Sequence, residues 1–284
     1  MSDVVVPKNR NMGVKRDYQG KEKGSDSKPV RDIPRNAYTS MFESFRNELD
    51  EHHDRRMKIG KVSRDVTALS KKIIFSLQRV RKLNQPIPRH IQGDIEARLK
   101  EIAEHLSTIE EDVTGMNRYR YPLICLEEFV EAISFSHYLQ HQKLITPAQA
   151  QEALPANIAL TSPDYVFGIF DLTGEMMRFA TAVTALSGSM PGLSTKPDNG
   201  ESAANRTILN DMQDVSSMLQ ICPPFGGRPG TYSKKLSIMI EQVRKVERLG
   251  YGITVRGNER PKGWMPDMND AGGGDREQED VVMD

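Results

Sequence analysis

The sequence is short of cysteine, of aromatic residues and of long apolar runs. Two cysteines in 284 residues, Cys125 and Cys222, exclude a disulfide-stapled scaffold and a zinc module built on several thiolates, and suit a reducing compartment. No apolar run approaches the roughly 18 residues of a membrane span, and the opening MSDVVVPKNR lacks the apolar stretch of a secretory signal. A soluble intracellular protein with no membrane contact is expected. Net charge is absent too: 39 Lys and Arg balance 39 Asp and Glu, so bulk charge gives no sign of nucleic-acid binding. Several chemical signatures are missing. There is no phosphate-binding Walker loop, no dinucleotide fingerprint, no His-Glu-x-x-His and no Cys-x-x-Cys. No histidine follows a glutamate by three residues, which disfavours a ferritin-like di-iron bundle.

What is present is helical periodicity between two polar ends. Residues 1–35 are rich in Lys, Gly, Asp and Ser without apolar period and read as a disordered basic tail. Their basic clusters suit either a nuclear import signal or a solvating tail. From Gly257 the chain turns acidic and holds a Gly run at 272–274, so 257–284 reads as an acidic flexible tail. Between them, 36–256 predicts one all-α domain of seven helices. Phe42, Phe45, Leu49, Ile59, Val62, Val66, Leu69, Ile73, Leu77 and Val80 fall on one face at spacings of three and four. They imply a helix about 60 Å long that stops near Asn84, ahead of Pro86 and Pro88. Further helices are expected over 91–113 and 121–142, then a short one capped at Thr146-Pro147. Others follow from Ser162-Pro163-Asp164 to Ser187, over 205–220, and from Thr231. A flexible loop is expected at about 188–204, and Gly252–Val255 is the one short strand candidate.

Acids in apolar stripes carry the chemistry. On the third predicted helix the stripe reads Tyr121, Ile124, Glu128, Glu131, Phe135, Tyr138, and the opposite stripe (Leu126, Val130, Ile133) is apolar as well. Carboxylates inside a central helix are costly unless paired, protonated or bound to a cation. On the fifth predicted helix a second stripe reads Asp164, Gly168, Asp171, Glu175, Arg178, with Gly168 placed to admit a close neighbouring helix. Two acids from each of two inward faces make a hard-oxygen site for Mg²⁺ or Mn²⁺ acting on a phosphodiester. The same acids also fit a plain salt-bridged face. Arg118-Tyr119-Arg120-Tyr121, just upstream, interleaves cations with aromatics in the manner of single-strand RNA grips, or packs and caps a helix start.

Four segments resemble the translin-associated factor X (TRAX) branch of the translin family. They are FESFRNELDEHHDRRMKIGKVSRDVTALSKKIIFSL (42–77), LEEFVEAISFSHYL (126–139), SPDYVFGIFDLTGEMMR (162–178) and YSKKLSIMIEQVRKVE (232–247). The resemblance spans roughly 38–256, and its EEFVEA and DLTGEMMR blocks are its most specific parts. It implies a seven-helix bundle that assembles with translin into a hollow hetero-oligomer. It further implies the active site of a Mg²⁺-dependent single-strand endoribonuclease, the component 3 promoter of the RNA-induced silencing complex. The implied substrates are passenger-strand and transfer-RNA precursor fragments, met in cytoplasm and nucleus. The family's catalytic acids fall on Glu128, Glu131, Asp171 and Glu175, as metal ligands with one serving as general base. Arg118, Arg120, Tyr121 and Arg178 become expected RNA contacts. A non-catalytic helical adaptor that stabilises translin is the alternative; a DNA-binding scaffold has no recognition module to rest on.

Overall fold

The computed structural model describes residues 36–155, 157–193, 206–224 and 230–256. The chain divides into two units, Met1–Asp50 and Glu51–Asp284. The expected tails at 1–35 and 257–284, and most of the expected loop at 188–204, lie outside the described residues. Those residues are nearly all helical: α1 Thr39–Leu77, α2 Arg89–Ser107, α3 Asn117–Arg120, α4 Cys125–His141, α5 Pro147–Glu152, α6 Ser162–Ser187, α7 Ile208–Ile221 and α8 Thr231–Arg256. Seven correspond to the predicted helices, and the single turn of α3 is additional. The protein is an all-α bundle.

In the first unit, the described residues are the opening of α1 and the turn before it. Phe42 and Phe45 meet edge to face at 6.1 Å, and Phe42, Phe45 and Leu49 stay largely exposed.

The second unit is built around α4. Leu126, Phe129, Val130, Phe135, Tyr138 and Leu139 are all essentially inaccessible, so apolar residues on both of its faces are buried. Burying each such side chain contributes roughly 1.5–3 kcal/mol. The longest interface of α4 is with α6, which also packs on α8, while α7 lies on α8 and α6. Ile59, Val66 and Ile73 of α1 and Ile91, Ile95 and Ile102 of α2 enter the same core. The close approach of α4 and α6 is set at Gly168: a Cβ there would lie 2.6 Å from Val130 Cβ and 2.9 Å from the Glu127 carbonyl oxygen.

Helix starts follow local chemistry. Thr146 caps α5 with a reciprocal Gln149 bond and Pro147 in the first turn. Helix α6 is capped one residue earlier than the spacing predicts, by Thr161, whose partner is Asp164.

Other boundaries differ for readable reasons. Helix α2 ends at Ser107 rather than Val113. There the Ser107 and Thr108 hydroxyls bond back to the Ala103 and His105 carbonyls, and a 3₁₀ turn at Glu111–Val113 follows. Ile109 and Val113 still reach the core, which is why the period continues past the helix. Helix α4 starts at Cys125, not Tyr121, because Pro122 disfavours helical geometry at the residue before it. Helix α1 stops at Leu77, ahead of a loop in which Asn84 adopts φ +55° and donates its N–H to the Leu139 carbonyl. The strand candidate at Gly252–Val255 is the end of α8; the described strands are the antiparallel pairs Gly192–Thr207 and Leu193–Arg206.

Candidate functional site

Helices α4 and α6 bring the four acids toward one another, and Glu131 is their focus. Glu131 is 9% exposed. Burial raises its pKa, and the negative charges of Asp171, Glu128 and Glu175 add to that, pushing it up to about 8. The other three are held by basic or amide partners. Lys71 of α1 lies 3.2 Å from Glu128. Gln78, just past α1, donates to Glu175 Oε2 at 2.8 Å, and Arg178 stands 3.7 Å from Glu175 Oε1. Lys235 of α8 places its ammonium 2.6 and 2.7 Å from the two oxygens of Asp171 and 3.2 Å from Glu127. Burial works against the Lys235 cation, but Asp171 and Glu127 outweigh it and its pKa rises. Glu127 is also raised, by burial first, with Lys235 opposing.

The acids do not all open onto the same space. Glu128, Glu131 and Glu175 line a groove of about 360 Å³ together with Lys71, Gln78 and Arg178. Asp171 is not part of that lining; it reaches Glu131 through its field while bonded to Lys235. Among the described residues, no group of three or more His, Cys, Asp or Glu side chains is placed to hold a metal ion. The donors nevertheless fit a hard divalent cation in kind and in charge. All are carboxylates, and burial, reinforced by the charges of Asp171, Glu128 and Glu175, raises the pKa of Glu131 to about 8.

The expected RNA contacts divide. Arg118 and Tyr121 are both interior residues. Arg118 is 4% exposed, pairs with Asp164, and donates to the Ala159 carbonyl at 3.0 Å. It therefore ties the α3 turn to the start of α6. Tyr121 is 3% exposed, and its hydroxyl meets His52 Nδ1. Arg120 is exposed, with its guanidinium 5.9 Å above the Tyr121 ring. The Arg178 side chain is 62% exposed beside Glu175. Sequence reasoning missed Lys235, Glu127, Lys71 and Gln78. Three of these lie inside the quoted segments, but only the fold shows which groups each one meets.

Residues 54–257 match the Translin family. Translin-associated protein X of Mus musculus is 28% identical over 258 residues, which are 80% of this chain and 82% of that protein. The Translin-associated protein X homolog of Schizosaccharomyces pombe is 27% identical over 223 residues, 76% of this chain and 87% of the relative. A chain of the apo-NeC3PO crystal structure superposes with TM-score 0.51 at 16% identity, covering 75% of this chain and 96% of that one, a likeness of fold.

Proposed function

The chain belongs to the Translin family, and on that premise we propose that it is the catalytic subunit of an endoribonuclease assembled with translin, hydrolysing single-stranded RNA with Mg²⁺. The observation that carries this reading is Glu131, a carboxyl buried among the charges of three others contributed by α4 and α6. Such an arrangement costs folding free energy and serves no packing purpose. The relatives named Translin-associated protein X support the choice of partner.

Glu128, Glu131 and Glu175 would hold the cation, with Asp171 joining them on release from Lys235. When bound, Mg²⁺ supplies positive charge against the charge developing on the phosphodiester. The chain's own groups do the rest. Glu131, ionised once a cation is held beside it, would take a proton from the attacking water as general base. The Gln78 amide fixes the orientation of Glu175. Arg178 and Arg120, both exposed, are the phosphate contacts. Attack by water leaves 5′-phosphate and 3′-hydroxyl ends.

One observation favours a second reading. Lys235 on Asp171 and Lys71 on Glu128 neutralise two of the acids within the chain, as an adaptor with no cation would need. Cleavage of end-labelled single-stranded RNA by the full chain co-expressed with translin separates the two. Catalysis requires cutting in Mg²⁺, none in EDTA, and its loss in Glu128→Ala and Asp171→Ala with assembly intact. Equal cutting by the variants, or RNA binding without any cutting by the wild type, establishes the adaptor.

A further inference from the structure

The acid groove has a larger neighbour. It encloses about 740 Å³ between the middle of α1 and the junction of α3 with α4, a size that takes a small organic group. Its floor is apolar, including Ile59, Ala68, Pro122 and Ile124, and Ile124 is 65% exposed. Its rim is cationic: Arg56, Arg64, Lys71 and Arg120 all line it, and no carboxylate does.

The cations of this rim differ from those that tie the helices together. Arg55, Lys58, Arg206 and Lys235 each sit on an acid within 3.3 Å. Among the described residues, Arg56, Arg64 and Arg120 make no ion pair. Three unpaired guanidinium groups around an apolar floor suit a ligand with repeated anionic charge and a flat apolar face. A nucleotide of a single strand has both: phosphates for the arginines, and a base for the floor or for a guanidinium plane.

The position relates this groove to the acids. Lys71 lines both grooves and lies 3.2 Å from Glu128. Ile124 and Cys125 precede Glu128 by about one helical turn, some 5 Å along α4. A strand lying over Lys71 would enter both grooves at once.

We propose that the groove between α1 and the α3–α4 junction is a base-and-phosphate subsite for single-stranded RNA. Arg56, Arg64 and Arg120 hold its phosphates, and the strand passes from there over Lys71 to the acids. This deepens the reading given under Proposed function and rests on it for the identity of the strand. Arg64 and the floor at Ile124 thereby select what lies beside the cleaved bond. Gly60 supplies a clean test position, since a Cβ there meets nothing within 4 Å and a side chain enters the groove without disturbing the core.

The test uses the full chain co-expressed with translin and a fluorescein-labelled single-stranded RNA, with anisotropy read in EDTA so that binding is separated from cutting. Gly60→Glu and Arg64→Glu should each weaken binding at least about tenfold, and Arg64→Ala should lower the slope of log affinity against log salt by about one. Lys100→Glu, the same charge change as Arg64→Glu and twice that of Gly60→Glu, on an exposed face of α2, should leave affinity unchanged. Thermal melting by circular dichroism establishes that each variant is folded. If Gly60→Glu and Arg64→Glu bind RNA like Lys100→Glu while the wild type still cuts in Mg²⁺, the subsite is wrong and the catalytic reading stands. If both variants lose binding but the wild type never cuts, the subsite stands and the catalytic reading fails. A peptide with the sequence of residues 275–284 that occupies the groove in preference to RNA, and is lost in both variants, overturns the proposal in favour of an acidic protein segment.

Discussion

Replacing Glu131 by Gln should stabilise the metal-free protein while removing the group proposed as its base. The side chain keeps its shape and loses its charge. Burial, followed by the fields of Asp171, Glu128 and Glu175, raises the pKa of Glu131 from the ordinary 4.5 to about 8. Between those two values the folded protein holds a proton that the unfolded chain has released, so its stability falls as pH rises through that window. Each pKa unit corresponds to about 1.4 kcal/mol, so the loss by pH 8.5 is on the order of 4 kcal/mol. Glutamine carries none of this dependence. Urea unfolding of the full chain in EDTA, followed by circular dichroism at pH 5 and pH 8.5, reads the difference. Wild type and Glu131→Gln should agree within about 1 kcal/mol at the lower pH, and the variant should lead by several at the higher. A variant equal to or less stable than wild type at both would refute the claim that the charges of α4 and α6 converge on this carboxyl.

Two further outcomes test the frame around the site. Gly168→Ala should cost about 2–3 kcal/mol, because its methyl would lie 2.6 Å from Val130 Cβ and 2.9 Å from the Glu127 carbonyl and force α4 and α6 apart; a melting temperature unchanged from wild type would contradict that packing. Arg118→Met should cost roughly 3–5 kcal/mol by leaving Asp164 without its buried partner. The RNA affinity of the folded variant should not change, and a selective loss of binding with stability intact would return Arg118 to the RNA surface.

Legibility in the sequence followed the range of the forces involved. Cap chemistry acts over three residues, so Thr146 with Gln149 could be read directly, and the start of α6 was misplaced by a single residue at Thr161. Periodicity acts over a few turns and identified α4 as central, with Glu128 and Glu131 inside its stripes. Gly168 was legible for a similar reason: a glycine within an otherwise well-packed helix face marks a close neighbour, here Val130. Partners from distant chain were not legible. Arg118 beside two tyrosines looks the same whether it grips a phosphate or Asp164, and Asp164 is 46 residues away. Lys235 is 64 residues from Asp171, and nothing in YSKKLSIMIEQVRKVE says which lysine turns inward. Helix ends were misread where turns kept feeding apolar side chains to the core, as Ile109 and Val113 do after α2.

The arrangement around Glu131 is one the fold works to maintain. Gly168 gives up side-chain packing so that α6 can approach α4, which sets Asp171 and Glu175 against Glu128 and Glu131. Lys235, Lys71 and Gln78 then come from three further positions to hold three of the four acids, and leave the buried Glu131 without an ammonium of its own. A bundle selected for stability alone would place an aliphatic residue at position 131, as at its neighbours Val130 and Ala132. Lys71 is exposed and pairs through a flexible stem at the edge of the cluster, Lys235 is largely buried between Asp171 and Glu127, and Glu131 is fixed on a helix buried on nearly every side. On the proposed reading a divalent ion would have to displace Lys71 from Glu128 and Lys235 from Asp171, a step that a static salt-bridged scaffold never takes.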